Sequence, residues 1–199
     1  MSNEPTLPAG TLPAHSRRRQ LITVFGGSKP RAGDPAYQEA YRLGALIGKA
    51  GFSVLTGGYM GVMEAASRGA NEAGGHVIGA TCEEIEHWRP TRANAWVQEE
   101  RCYPTLVERL NALIEQCDAA FALPGGVGTM AEVSVMWNRL LIGSLSPRPL
   151  VAIGSGWKAI FDCFISELGG YIPEHDQKLL AFAPDIESGF ELMKRRLAE

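Results

Sequence analysis

The sequence predicts an α/β fold: one doubly wound parallel sheet with helices on both faces, preceded by a flexible tail over residues 1–19. Three observations carry this expectation. From residue 20 onward, short β-rich apolar runs alternate with longer stretches of helical periodicity. The apolar runs close on or contain glycine, which α/β turns use for its backbone freedom. The runs are also continuously apolar rather than alternating, as strands covered on both faces are. With 199 residues, 45% of them hydrophobic and 21% charged, the chain has material for one core, so residues 20–199 are assigned to a single domain.

The elements follow in order. LITVFGG (21–27) is the first strand. Asp34 and Pro35 then read as an N-cap and an N1 proline, and Ala36, Ala40, Leu43 and Ile47 recur at helical spacing, so a helix of about 15 residues follows. SVLTGG (53–58) is the second strand, and GVMEAASRGANEAGG (61–75) the second helix, its closing glycine pair suited to a C-cap. HVIGAT (76–81), DAAFALPGG (118–126) and PLVAIG (149–154) complete five strands, with further helices expected near 105–117, 129–142, 157–168 and 186–198. The whole is Rossmann-like. One segment breaks the rhythm: residues 82–104 are long, polar and punctuated by Pro90 and Pro104, and read as a loop or lid over one edge of the sheet. Trp88, Arg89, Arg92, Asn94 and Trp96 either touch a ligand there or hold down a packed surface excursion; the sequence leaves both open.

Bulk properties exclude several classes of function. A net charge of −3 gives no electrostatic reason to expect a nucleic-acid polymer or an anionic membrane as partner. Residues 1–19 contain three prolines and no apolar core ahead of a cleavage site, so a signal peptide is not expected. No apolar run reaches the roughly 18 residues a membrane span needs. Cys82, Cys102, Cys117 and Cys163 form no CxxC pair and read as reduced thiols of a cytoplasmic protein. The histidines, His15, His76, His87 and His175, lack metal-ligand spacing, and no metal is expected.

Open parallel sheets bind ligands beyond the carboxyl ends of their strands. Three glycine-rich turns fall on that edge: FGGSKP (25–30), TGGYMG (56–61) and PGGVGT (124–129). Glycine lets backbone approach a ligand, and the free N–H groups at the start of the next helix favour an anion. PGGVGT combines both, with the Thr129 hydroxyl as an added donor. It is neither a Walker A loop nor a dinucleotide fingerprint, so a monophosphate is the economical ligand.

Two charged residues belong to the same edge. Glu132 stands about one turn into the helix after the loop, within side-chain reach of an anion at the helix start. A helix over 105–117 and a strand over 118–123 take the chain down about 12 Å and back about 20 Å, which returns Arg109 to the level of PGGVGT. Arginine in a first helical turn opposes the helix dipole, so propensity does not explain Arg109; a surface salt bridge is the alternative to a place in the site.

The stretch LPGGVGTMAE (123–132) resembles the PGGxGTxxE motif of the LONELY GUY (LOG) family, whose members also carried a lysine-decarboxylase label. VFGGS in the first strand and GGYMGVMEAASRGANEAGGHVIG (57–79) extend the similarity over roughly residues 21–198. The resemblance implies a nucleoside 5′-monophosphate phosphoribohydrolase that releases a cytokinin-type purine base. It implies Arg109 and Glu132 as the catalytic pair and Gly125, Gly126, Gly128 and Thr129 as the phosphate site. Gly27, Ser28, Gly57, Gly58 and Met63 would line the nucleotide pocket. It further implies a homodimer or higher homo-oligomer, a small-molecule nucleoside monophosphate as partner, and no cofactor. The chain departs from the family at Leu110, where lysine often follows the arginine, and at Ala131, where a second acid often precedes the glutamate. A non-catalytic nucleotide or molybdenum-cofactor carrier on the same fold is the alternative. Decarboxylation is set aside, because its usual pyridoxal phosphate needs a Schiff-base lysine, and Lys29, Lys49, Lys158, Lys178 and Lys194 all lie outside the phosphate loop.

Overall fold

A computed structural model describes residues 19–198. Apart from Arg19, the expected tail lies outside the described residues. Seven strands form one parallel sheet: β1 (Leu21–Phe25), β2 (Ser53–Thr56), β3 (Val77–Cys82), β4 (Glu99–Tyr103), β5 (Ala119–Ala122), β6 (Leu150–Ile153) and β7 (Leu180–Ala183), in the order β4-β3-β2-β1-β5-β6-β7. The order reverses at β1, which pairs with β2 on one side and β5 on the other. This is the Rossmann-like doubly wound architecture expected from the sequence, and the crevice of such sheets opens where β1 and β5 part.

Five of the seven strands were anticipated. β4, EERCY, is an edge strand whose side chains alternate between half-buried and exposed, so it carries no apolar run. Its charges are satisfied locally: Glu99 bonds His76 and Arg101, and Glu100 accepts from Thr81 Oγ1 at 2.7 Å. Charged edges of this kind discourage pairing with another chain. β7, LAFA, closes the other edge.

Helices cover both faces. One face packs α1 (Pro35–Lys49), α2 (Val62–Glu72) and α8 (Ile186–Leu197) over alternate strand residues such as Ile22, Val24 and Val54. The other packs α4 (Leu106–Glu115), α5 (Val127–Leu141) and α6 (Ser155–Leu168) over Leu21, Phe25 and Leu55. Asp34 does precede α1 with Pro35 in its first turn, but its carboxylate accepts from Arg31 N at 2.8 Å instead of capping the helix. Two short helices, α3 (Glu83–Trp88) and α7 (Glu174–Gln177), complete the set. Segment 82–104 is therefore not a plain loop: it begins with α3 and ends in β4. Among the described residues no helix is long and apolar enough to cross a membrane, and no group of three or more His, Cys, Asp or Glu side chains is placed to hold a metal.

Candidate functional site

At the reversal point the loop after β5 turns straight into α5. Gly126 sits extended ahead of the helix, and the first i→i−4 bond is Met130 N to Gly126 O at 3.0 Å. The N–H groups of Val127, Gly128 and Thr129 thus precede the helical ladder, at the positive end of a 15-residue helix. Thr129, expected at the helix start, is the third residue of α5 and only 4% exposed. Gly125 makes that possible: a Cβ there would overlap the Thr129 hydroxyl. Gly27 N donates to Pro124 O at 3.1 Å and joins the β1 turn to this loop.

Arg109 arrives from α4, which a capping box between Thr105 and Glu108 starts firmly. One turn in, the side chain is 7% exposed. Its Nε donates to Ala80 O at 2.6 Å and its Nη2 to Gly57 O at 3.1 Å, while its guanidinium carbon lies 5.6 Å over the Tyr59 ring. Carbonyls at the ends of β2 and β3 thereby offset the unfavourable position in the helix dipole. A Cβ on Gly57 would overlap Nη2, so the residue after β2 must be glycine for the arginine to reach this place. Tyr59 is fixed in turn: its hydroxyl accepts from Cys82 N at 2.7 Å and lies 3.1 Å from Glu86 Oε1 on α3. Burial pushes the Tyr59 phenol well above its ordinary range.

Glu132 lies in the second turn of α5, half-buried. Burial pushes its carboxyl up to about 7, and the nearby positive charge of Arg109 pulls in the opposite direction. Among the described residues the two form no direct ion pair. The site therefore holds a fixed cation, a carboxyl that changes charge near neutrality, and free helix amides. That set can seat a phosphate and put a carboxylate beside the group attached to it.

These features line one cleft of about 360 Å³, within the range of small-molecule sites. Gly27, Ser28, Met63, Arg109, Gly126, Gly128, Thr129 and Glu132 all face it. Gly57 and Gly58 do not and are buried behind it, while Gly125 is exposed on the loop and packs against Thr129. Of the five lid residues, Trp88 and Arg89 line the cleft. Asn94 instead fastens the segment, donating through Nδ2 to Gly58 O and Tyr59 O at 2.9 Å each, and Trp96 packs under Arg68. Tyr59, Ile85 and Leu106 also line the cleft and were missed. The tyrosine inside TGGYMG was the only one of them within a flagged motif. A larger hollow of about 590 Å³ opens at the amino ends of the strands, lined by Arg19, His76, Arg101 and Arg148 among others. Most of its cations are already engaged, Arg101 and His76 by Glu99 and Arg148 by backbone carbonyls.

Residues 19–146 match the model of the SLOG cluster4 family. The chain belongs to this family. A cytokinin riboside 5′-monophosphate phosphoribohydrolase of Rhodococcoides fascians is 32% identical over 151 residues, 74% of this chain and 74% of that one. A cytokinin riboside 5′-monophosphate phosphoribohydrolase of Oryza sativa subsp. japonica is 30% identical over 176 residues, 85% of this chain and 70% of that one. The LOG resemblance read from PGGVGTMAE is thus borne out. Among solved structures, the molybdenum cofactor binding protein of Rippkaea orientalis matches with a TM-score of 0.69 at 26% identity, covering 90% of this chain and 98% of that one. The molybdenum cofactor carrier protein of Chlamydomonas reinhardtii matches with a TM-score of 0.69 at 27% identity, covering 92% of this chain and 100% of that one. The SLOG fold therefore spans both phosphoribohydrolases and carriers.

Proposed function

We propose that this SLOG protein hydrolyses the N-glycosidic bond of a purine ribonucleoside 5′-monophosphate, of which cytokinin-type nucleotides are one kind, to the free base and ribose 5-phosphate. One observation carries the reading: a carboxyl poised near neutrality lines the same cleft as the free amides of a helix start and a buried arginine. The 5′-phosphate sits on the amides of Val127, Gly128 and Thr129, and its binding energy positions the sugar. Bond cleavage builds positive charge on the ribose, which the Glu132 carboxylate stabilises while it orients the attacking water. Arg109, held by carbonyls of two strands, keeps its place beside the departing base and assists it. Relatives named as phosphoribohydrolases at 30–32% identity support this reaction class.

The catalytic unit is a homodimer or higher homo-oligomer. Leu141, Ile142, Ile160, Phe164 and Leu168 leave apolar surface exposed on α5 and α6 and just beyond α5, which suits cover by a second copy. Light scattering in solution tests this, and a monomer at micromolar concentration rejects it. The free thiols fit a reducing, cytoplasmic setting.

The experiment is direct. Purified protein is incubated with AMP, GMP and isopentenyl-AMP, and free base and ribose 5-phosphate are followed by chromatography. Release from at least one substrate, slowed about 10²–10³-fold by Glu132→Gln, is expected. The coverage of the carrier structures favours a second reading, a binding protein for a molybdenum cofactor or nucleotide. Tight binding with no release of base from any nucleotide would select it.

A further inference from the structure

The phosphate seat, Arg109 and Glu132 leave one corner of the cleft without a role. Trp88 ends α3 with its indole 79% exposed on the cleft. Arg89 follows in an extended conformation, φ −141° and ψ 108°, with its guanidinium carbon 5.6 Å over the indole ring. The Nε of Arg89 is buried and has no hydrogen-bond partner, and among the described residues the guanidinium forms no ion pair. Polar atoms buried in this way are rare and each calls for a missing partner. A guanidinium carries donors only, so the missing partner is an acceptor.

The corner thus combines an aromatic plane with a row of N–H donors, lined further by Tyr59, Met63 and Ile85. A phosphate has no use for an indole face, and it already has its seat at the start of α5. A planar heterocycle with acceptors along one edge uses both parts, stacking on the ring and pairing with the guanidinium. Among purines, a 6-oxo base presents O6 and N7 as two adjacent acceptors, the pattern arginine reads in pairs. Adenine presents N7 beside an amino donor, and an N6-substituted adenine keeps an N–H there, so both set a donor against a donor.

Resting on the phosphoribohydrolase reading above, we propose that Trp88 and Arg89 select the base, and that the preferred substrate class is a 6-oxopurine ribonucleoside 5′-monophosphate, such as GMP or IMP, over adenine nucleotides. Trp88 supplies affinity for any purine, and Arg89 supplies the choice between them. Neither residue touches the scissile bond.

Binding and turnover are measured separately. Calorimetry on the full chain carrying Glu132→Gln is expected to give GMP and IMP a Kd at least tenfold below that of AMP. The unsubstituted protein is expected to show the same order in kcat/KM for base release. Adding Arg89→Gln, whose amide pairs with adenine N6 and N7, is expected to close or reverse the gap through weaker GMP and stronger AMP binding. Trp88→Ala is expected to weaken all three by a similar factor of several-fold. Equal or AMP-favouring affinity with Arg89 intact overturns the proposal, as does an Arg89→Gln protein of unchanged melting temperature that loses all three nucleotides alike. Discrimination in binding without any base release leaves the base selection standing and removes the hydrolase reading. Base release without discrimination does the reverse, and absence of nucleotide binding removes both.

Discussion

The glycine pair after β2, Gly57 and Gly58, and the glycines at the start of α5, Gly126 and Gly128, share a sheet edge and similar letters, yet the space around them differs. A Cβ on Gly57 would meet Arg109, so that turn is filled by the protein's own guanidinium. A Cβ on Gly126 or Gly128 would meet nothing within 4 Å, and both residues line the cleft. The first turn is packing that fixes a charge in place, while the second is open backbone at a helix start. A glycine motif therefore marks a close approach, and only the surroundings tell whether a side chain or a ligand makes it.

This contrast can be broken at several points. Glu132→Gln removes the carboxylate beside the open loop, and kcat is expected to fall by about 10²–10³ with nucleotide binding retained; steady-state kinetics with calorimetry check it. Gly57→Ala, though it never faces the cleft, is expected to dislodge Arg109, lowering activity by about 10² and stability by about 1–3 kcal/mol. Urea unfolding read beside the assay separates the two effects. An active, fully stable Gly57→Ala protein would show that the turn after β2 has room after all.

The pH profile comes next. A carboxyl raised to about 7 is mostly protonated below that value, and the reaction requires its carboxylate. kcat/KM is therefore expected to rise about tenfold per pH unit up to about 7 and then level off. A profile flat from pH 5 to 8 would remove Glu132 from the rate-determining chemistry. The smallest effect is expected at Gly128→Ala. It lies in the first turn of α5 without a positive φ, so alanine is compatible with the backbone and stability is expected to rise by about 0.4–1 kcal/mol. The KM for nucleotide is expected to increase as the methyl group enters the seat. The pair Gly57→Ala and Gly128→Ala thus moves stability in opposite directions.

Much of this was legible in the sequence because local rules and global fold agree. The central strands are uninterrupted apolar runs closed by glycine, so their number at the sheet centre and their parallel sense could be read directly. Helix and strand rises set the level of Arg109 and Glu132 along the sheet, the LOG resemblance singled the two out as a pair, and both line the one cleft. β4 was not legible, because an edge strand such as EERCY buries little and keeps its charges. The packing of Gly57 against Arg109 was not legible for a different reason: that partner is 52 residues away in sequence, and no local pattern reports such an approach. The lid divided between its two readings. Asn94 and Trp96 hold it down, whereas Trp88 and Arg89 face the cleft, a division set by long-range contacts that no local pattern reports.

A crystal structure of the Glu132→Gln protein with GMP tests the central claim most directly. The phosphate is expected within hydrogen-bond distance of the amides of Val127, Gly128 and Thr129, with the ribose against residue 132. A nucleotide seated elsewhere, for instance among Arg19, Arg101 and Arg148 at the opposite edge of the sheet, would contradict it.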